Sequence, residues 1–215
     1  HCFVLTGKYP LFVIERYDRY INRDGLVHRI HQQDFCQAQG ITSEFKYEIK
    51  GGPNLKSNYD LIVKNVASKN RLKSVHSFLD WICFNLIVGN NDSHSKNISF
   101  LLKDSKIELA PFYDLLCTAI YLKLKKSFSF TIGDRNDVSK IGKNQFERLE
   151  DLLEIKRGTF FERMEKIYDS ISKEKDELAE KVLAEFGDCK IAKRISKLIE
   201  RRGRGLIIQG ALLKK

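Results

Sequence analysis

The stretch SVHSFLDWICFNLIVG (74–89) limits most strongly what this chain can fold into. Its apolar residues recur at the three- and four-residue spacing of a helix, and Gly89 is a residue type that commonly ends one. We therefore predict a mostly buried helix. The polar run GNNDSHSKN (89–97) follows it directly and holds three Asn, one Asp, one His and one Lys. Such a run is either a solvated loop or the part of the chain that carries the chemistry.

Strands are predicted near the start of the chain and helices at its end. Apolar, β-rich runs fill much of 2–18 and are typical of neighbouring strands, and 98–112 predicts two short strands around a turn at 104–105. From Gln145 onward four segments carry a helical apolar stripe, with Gly187 between the third and the fourth. This order predicts an α+β fold with strands at its N-terminal end.

Two shorter segments predict small helices between these regions. HQQDFCQAQG (31–40) is typical of a short helix that is closed by Gly40. SNYDLIVKNVAS (57–68) predicts a second helix, for which Ser57 or Asn58 is the expected N-cap.

Composition argues against several classes of protein. With 42% hydrophobic residues the chain can bury a sizeable core, and it contains no run of 18 apolar residues that would predict a membrane span. Five scattered cysteines without CxxC spacing favour free thiols in a reducing cytoplasm over a zinc ribbon or a disulfide framework. No signal-peptide pattern is found, and because the chain begins with His1 we expect that an upstream segment is missing.

The net charge of +10 is concentrated at the end of the chain, where 188–215 holds nine Lys or Arg against two acidic residues. Five of these cations recur at helical spacing and predict an exposed basic stripe that faces away from the Asp92 cleft. The basic stripe consists of Lys190, Lys193, Arg194, Lys197 and Arg201. The apolar residues expected to pack on the domain are Ile191, Ile195, Leu198 and Ile199. A polyanion would bind such a stripe, and a solvated helix face is an equally good interpretation.

Asp92 and Asn97 in the polar run have the D-x-x-x-x-N spacing of a kinase catalytic loop. Asp114 follows the predicted strand pair, which would bring it back toward Asn97. An Asp is needed to accept the proton of an attacking hydroxyl, and an amide oxygen together with a second carboxylate suits Mg²⁺. The alternative is an Asn- and Asp-rich loop that only caps its neighbours.

The polar run departs from the common protein-kinase pattern. No His-Arg precedes Asp92, Leu115 and Leu116 follow Asp114 in place of Phe-Gly, and no Ala-Pro-Glu comes later. The run also fits G-x-x-D-x-H-x-x-N, the catalytic loop of phosphoinositide kinases. These departures favour the wider kinase-like superfamily over its common serine/threonine branch.

Five motifs occur along the chain in one order: ERYDR (15–19), RIHQQDFCQAQG (29–40), KYE with GGP (46–53), NDSHSKN (91–97) and LAPFYDLL (109–116). Together they resemble the HipA-type toxin kinases, which are bacterial serine/threonine kinases of toxin–antitoxin systems, and most of all the short HipT-like form. The resemblance covers about residues 10–150. It implies a protein-kinase-like fold, with the last N-lobe strands and the hinge in 1–19 and a mainly helical C-lobe in 20–215.

The resemblance also implies which residues form a site for ATP and Mg²⁺. Asp92 would be the catalytic base, and Asn97 and Asp114 would hold the metal. The residues that would meet the nucleotide or its phosphates are Glu15, Tyr17, Asp18, Gln32 and His94. Structural alternatives are a salt-bridged strand end for Glu15, Arg16 and Asp18, a helix start for Gln32 and a loop cap for His94.

Two further parts that such a kinase needs lie in the N-lobe, namely a loop that covers the phosphates and a lysine for the α- and β-phosphates. We find neither in this sequence, because Lys8 stands too close to the hinge to be that lysine. We therefore expect this chain on its own to bind ATP poorly and the intact protein to bind it.

Three functions are compatible with the sequence. The first is a kinase toxin of a type II toxin–antitoxin system that phosphorylates a cytosolic protein. The resemblance implies that this protein is an aminoacyl-tRNA synthetase, either free or bound to tRNA. The second is a catalytically incomplete lobe that binds an antitoxin or nucleic acid, and the third, weaker one is a small-molecule phosphotransferase. The family relationship implies an antitoxin partner, contact with DNA only through that antitoxin, and no membrane.

Overall fold

The structure is a computed structural model that describes residues 2–5, 8–9, 11–103, 106–187 and 190–211. Its strands are β1 (Cys2–Leu5), β2 (Leu11–Ile14), β3 (Arg19–Ile21), β4 (Val27–Arg29), β5 (His31–Asp34), β6 (Ser99–Lys103) and β7 (Lys106–Leu109). Its α-helices are α1 (Phe35–Ala38), α2 (Leu55–Asn65), α3 (Ser68–Val88), α4 (Lys143–Leu153), α5 (Thr159–Phe186) and α6 (Lys190–Ala211). The predicted α+β fold is confirmed.

The strands form three small antiparallel sheets. β1 pairs with β2, β3 pairs with β4, and β5, β6 and β7 form a three-stranded sheet in that order. The strand pairs predicted in 2–18 and 98–112 are therefore confirmed, while the turn predicted at 104–105 lies outside the described residues.

Helix α3 lies at the centre of the helical part, where it packs against α2, α5 and α6. Its buried apolar residues include Phe78, Leu79, Ile82, Leu86 and Ile87, as the sequence predicts. The helix ends at Gly89, whose φ of +78° lies in the left-handed region that glycine adopts without strain. The Gly89 carbonyl then accepts a hydrogen bond from the backbone N–H of Ala119 at 2.9 Å, which ties the helix end to the segment after Asp114.

The prediction of one helix across 31–40 is wrong for its first half. His31–Asp34 is strand β5, because it pairs with β6 and its backbone groups find partners there. Asp34 then caps α1: its Oδ1 accepts from the Gln37 backbone N–H at 2.8 Å, and Gln37 Oε1 accepts from the Asp34 N–H. Gly40 closes the short helix with a φ of +68°, as predicted.

Two other helix boundaries differ from the predictions. Helix α2 is capped by Asn54, and Ser57 is its third residue, which completes a capping box with Asn54. Asn58 is buried and donates from Nδ2 to Ser95 Oγ at 2.9 Å. The second and third predicted C-terminal helices form the single helix α5, because the run KEKDE (173–177) that joins them is made mostly of good helix formers.

Helix α6 exposes all five residues of the basic stripe, as predicted. Leu198 and Ile199 are buried, whereas Ile191 stays 37% exposed. Arg194 donates to the carbonyl of Ile120 at 3.1 Å, and Arg201 lines a cavity together with Asn91 of the polar run. The basic stripe therefore reaches the polar run at Asn91, while the cavity that Asp92 lines has no residue of the stripe in its described lining.

The described thiols of Cys36, Cys83 and Cys117 are free, in agreement with the prediction. Within the described ranges, no helix combines the length and the apolar character that crossing a membrane requires.

Candidate active site

The polar run after α3 is a buried loop and not a solvated one. The residues of this loop that are at most 6% exposed are Asn90, Asn91, Ser93, His94, Ser95 and Asn97. Hydrogen bonds fix the loop from several sides: Asn90 Nδ2 donates to Asn85 Oδ1 at 2.8 Å, and the Asn91 N–H donates to Thr118 Oγ1 at 2.8 Å. Buried polar groups that are satisfied in this way hold one conformation.

Asp92 is the partly exposed carboxylate of this loop. Its Oδ1 accepts a hydrogen bond of 2.6 Å from the hydroxyl of Tyr47, and its backbone N–H donates to Asn90 Oδ1 at 3.2 Å. The carboxylate lines a cavity of about 730 Å³. A hydroxyl group that enters this cavity can therefore donate a hydrogen bond to Asp92.

Asn97 and Asp114 are brought together by the β6–β7 hairpin. Asn97 Nδ2 donates to Asp114 Oδ2 at 2.5 Å, and Asn90 Nδ2 donates to the Asp114 carbonyl at 2.9 Å. Asp114 has a φ of +57°, a left-handed conformation that costs energy in a residue other than glycine. Outliers of this kind cluster at functional sites, which favours a role for Asp114 beyond packing.

The side-chain types of Asn97 and Asp114 fit Mg²⁺, and in this structure the Asn97 amide directs its nitrogen to Asp114 and its oxygen to the His94 N–H. One carboxylate and one amide oxygen are hard ligands, and Mg²⁺ in phosphoryl-transfer sites usually takes one or two protein groups and completes its shell with phosphate and water. Among the described residues no group of three or more His, Cys, Asp and Glu side chains lies close enough to hold a metal by itself. The site therefore suits a metal that arrives with phosphates.

Gln32 and Tyr17 lie beside the Asp114 end of the hairpin. Gln32 Nε2 donates to Ser99 Oγ at 3.0 Å, and this hydroxyl lies 2.8 Å from the hydroxyl of Tyr113. The rings of Tyr17 and Tyr113 stack with centroids 6.4 Å apart. Gln32 lies in strand β5 and not at a helix start, so its structural alternative is wrong. Residues around Tyr17 and the chain that forms and follows the β6–β7 hairpin are thus in contact.

Asp18 forms the salt-bridged strand end that was the alternative for 15–18. Its carboxylate is 3% exposed and pairs with Arg16 at 2.7 Å and with Arg19. The hydrogen bond from Arg16 holds the pKa of Asp18 below its usual value. Glu15 is exposed in the same segment. Contact of either residue with a nucleotide stays a prediction.

His94 is 6% exposed, and its ring meets the Tyr47 ring edge-on with centroids 5.1 Å apart. Burial, followed by the charge of Lys46, lowers its pKa, so the imidazole is neutral at physiological pH. Its Nδ1 is buried and has no hydrogen-bond partner among the described residues. A buried polar atom without a partner is rare, and a bound ligand would explain it.

Three residues of the site were missed by the sequence reasoning. Tyr47 contacts Asp92, and Glu48 Oε2 accepts from the Thr131 N–H at 2.8 Å across the cavity. Both belong to the KYE motif, for which the sequence alone predicts no role. Arg202 of α6 donates to the Leu86 carbonyl at 3.0 Å and lies 3.4 Å from Asn91 Oδ1. Burial lowers the pKa of Arg202 to about 10. Nothing in the local sequence indicates this contact.

A helical lobe that carries a D-x-x-x-x-N loop, a hairpin and a second Asp next to the Asn has the protein-kinase-like fold. The family described as the HipA-like C-terminal domain matches residues 1–182, and the chain belongs to that family. The predicted resemblance is confirmed.

Relatives and a solved structure agree with this assignment. "Putative kinase Y4mE" of Sinorhizobium fredii is 47% identical over 126 residues, which cover 59% of this chain and 30% of that protein. "Serine/threonine-protein kinase toxin HipA" of Shewanella oneidensis is 30% identical over 173 residues, which cover 75% of this chain and 39% of that protein. A chain in the solved complex of Shewanella oneidensis HipA, HipB and operator DNA superposes with a TM-score of 0.86 at 24% identity, covering 100% of this chain and 54% of that one. The chain thus spans about a third of the length of these curated relatives.

Proposed function

We propose that this chain is the catalytic lobe of a serine/threonine-protein kinase toxin of a type II toxin–antitoxin system. One observation carries the proposal: Asn97 and Asp114 are in contact at the end of a buried helix, and Asp92 of the same loop opens onto a cavity of about 730 Å³. The names of the relatives as kinases, and of one as a kinase toxin, support it.

In this proposal Asp92 accepts the proton of a protein hydroxyl, because a carboxylate at the edge of a cavity can reach and orient that hydroxyl. The hydroxyl oxygen bonds to the γ-phosphorus of ATP while the bond from that phosphorus to ADP breaks, and ADP leaves with the electron pair. Asn97 and Asp114 would hold Mg²⁺, which neutralises phosphate charge when it is bound. Tyr17 and Gln32 would line the nucleotide, and Nδ1 of His94 would meet a phosphate.

The partners follow from the family and from its solved relative. The chain in the solved complex is found with an antitoxin, HipB, and with operator DNA, so we propose an antitoxin partner and contact with DNA through it. The resemblance further implies a cytoplasmic protein substrate, an aminoacyl-tRNA synthetase, whose modification would inhibit translation. The remainder of the N-lobe would supply the phosphate loop and the ATP lysine to residues 1–19.

The test is transfer of labelled γ-phosphate by the full-length protein and its Asp92→Asn variant. The change keeps the shape of the side chain and removes the base, so turnover should fall by about 10²–10⁴-fold while ATP binding and the melting temperature stay near those of the wild type. Asp169→Asn, at an exposed position of α5, is the matched control and should transfer normally. Equal turnover in Asp92→Asn and the control would contradict the proposal.

A second candidate is a lobe that only binds an antitoxin or nucleic acid, and the exposed basic stripe on α6 favours it. The same experiment separates the two. A full-length protein that binds its partners and transfers no phosphate would establish the binding module. In that case Asp92→Asn would behave like the wild type in both partner binding and phosphate transfer.

A further inference from the structure

We propose that Tyr47 is the residue that orients the Asp92 carboxylate, with its hydroxyl on Oδ1 and with Oδ2 left for the acceptor hydroxyl. The inference rests on the proposed kinase function and assigns a role to the KYE motif (46–48). Tyr47 touches the proposed base and not the reacting atoms, so it is a positioning residue.

The contact between Tyr47 and Asp92 is short and involves a charge. The hydroxyl oxygen lies 2.6 Å from Oδ1, which is typical of an O–H donor to a carboxylate and stronger than a hydrogen bond between neutral groups. Within the described ranges Oδ2 of Asp92 carries no hydrogen bond, so one oxygen is held and the other remains available. A carboxylate that is fixed through one oxygen presents the other in a defined direction.

Tyr47 is itself held in place by its surroundings. Its ring is edge-on to the His94 ring, and the ammonium groups of Lys46 and Lys125 lie 5.0 and 5.8 Å from its centroid. The neighbouring Glu48 accepts a backbone hydrogen bond from Thr131, on the far side of the cavity. These contacts fix residues 46–48 between the polar run (89–97) and the part of the chain that follows Asp114.

The backbone that follows Tyr47 is also tightly packed. A Cβ added at Gly52 would lie 1.8 Å from the Phe45 carbonyl oxygen and 2.8 Å from that of Tyr47, so only glycine allows this close approach. The GGP part of the motif therefore folds the chain back onto the KYE part. In this proposal the two parts of the motif together hold Tyr47 against Asp92.

Tyr47 acts as a hydrogen-bond donor and not as a second base. Burial, followed by the hydrogen bond to Asp92, raises the pKa of Tyr47 to about 12. The phenol therefore keeps its proton at physiological pH and stabilises the charged form of the carboxylate. When the acceptor hydroxyl attacks, its proton passes to Oδ2 while Oδ1 stays bound to Tyr47.

The test uses the full-length protein and compares Tyr47→Phe with Tyr20→Phe. Tyr47→Phe removes one hydroxyl and keeps the ring. Tyr20, which is 50% exposed and stacks on His28 in the β3–β4 hairpin, loses a hydroxyl that contacts neither Asp92 nor the cavity. A hydrogen bond to a charged group is worth enough to change a rate by about 10- to 100-fold, so we expect kcat of Tyr47→Phe to fall by that factor with KM for ATP unchanged.

The split between kcat and KM provides a readout that a merely structural role would not change. Loss of the Tyr47 hydroxyl leaves the Asp92 carboxylate in place without its donor, so kcat should fall while KM for ATP and the melting temperature stay near those of the wild type.

Each outcome decides between the proposals. Wild-type kcat in Tyr47→Phe would overturn the role of Tyr47 and leave the kinase function standing. A parallel loss of kcat, ATP binding and melting temperature would show that Tyr47 only supports the fold, which also overturns it. Absence of Asp92-dependent transfer in the wild type would refute the kinase function and this inference with it. A fall in kcat with unchanged KM for ATP and melting temperature, seen in Tyr47→Phe and not in Tyr20→Phe, would support it.

Discussion

Replacing Gly89 with Ala tests how closely the end of α3 is packed behind the catalytic loop. Gly89 has a φ of +78°, and a residue with a Cβ pays about 1–2 kcal/mol in the left-handed region. A Cβ at this position would lie 2.9 Å from the Ala119 Cβ and 3.0 Å from Leu198 Cδ2. Carbon atoms prefer about 3.5–4.0 Å, and overpacking of this kind costs about 1–3 kcal/mol. The free energy of unfolding should therefore fall by about 2–5 kcal/mol.

Gly40→Ala is the matched control for the backbone part of this cost. Gly40 has a φ of +68°, and a Cβ there would meet nothing within 4 Å, so we expect a loss of about 1–2 kcal/mol. Urea unfolding of the full-length variants, followed by circular dichroism, measures both values. The difference between them is the packing contribution at the junction of α3, the 118–120 turn and α6. Equal losses in the two variants would refute the argument that this junction is rigid.

Two other predictions concern charge. Replacing Lys193, Arg194 and Lys197 of the basic stripe with Glu should weaken complex formation with antitoxin-bound operator DNA. The logarithm of the affinity should also fall less steeply with the logarithm of the salt concentration, because each phosphate contact on duplex DNA contributes a slope of about −0.9. An unchanged salt slope would make the stripe a solvated surface. Because Arg16 lowers the pKa of Asp18, the contribution of Asp18 to stability is complete above its unfolded pKa and is lost as the pH falls through the lowered folded value. In Asp18→Asn the melting temperature should therefore depend less on pH in the acid range than it does in the wild type. Thermal melts of both proteins over a pH series measure this. Equal slopes of melting temperature against pH would show that the ion pairs contribute nothing.

Local patterns in the sequence were sufficient to predict helix α3 and the polar run that follows it. The spacing of apolar residues predicted α3, and Gly89 predicted its end, because both depend on the backbone conformation of neighbouring residues. The spacing between Asp92 and Asn97 placed both in one loop, and the predicted hairpin placed Asp114 beside Asn97. The structure has these residues in that arrangement.

Predictions failed where a distant partner decides the local conformation. The segment 31–40 looks helical on its own, and its first four residues become β5 because β6 is there to pair with them. The predicted N-caps of α2, Ser57 and Asn58, lie three and four residues after the observed N-cap Asn54. Both are good capping residue types, and only the packed structure shows that Asn58 is buried against Ser95.

The sequence by itself determined the protein-kinase-like fold, the family and the set of residues that form the proposed site, because each of these depends on residue types in a fixed order along the chain. Only the tertiary structure decided what surrounds Asp92. Tyr47 lies 45 residues before it and Arg202 reaches the same loop from α6, near the end of the chain. Contacts of this kind arise from the packing of separate elements against one another, and no local pattern in the sequence specifies them.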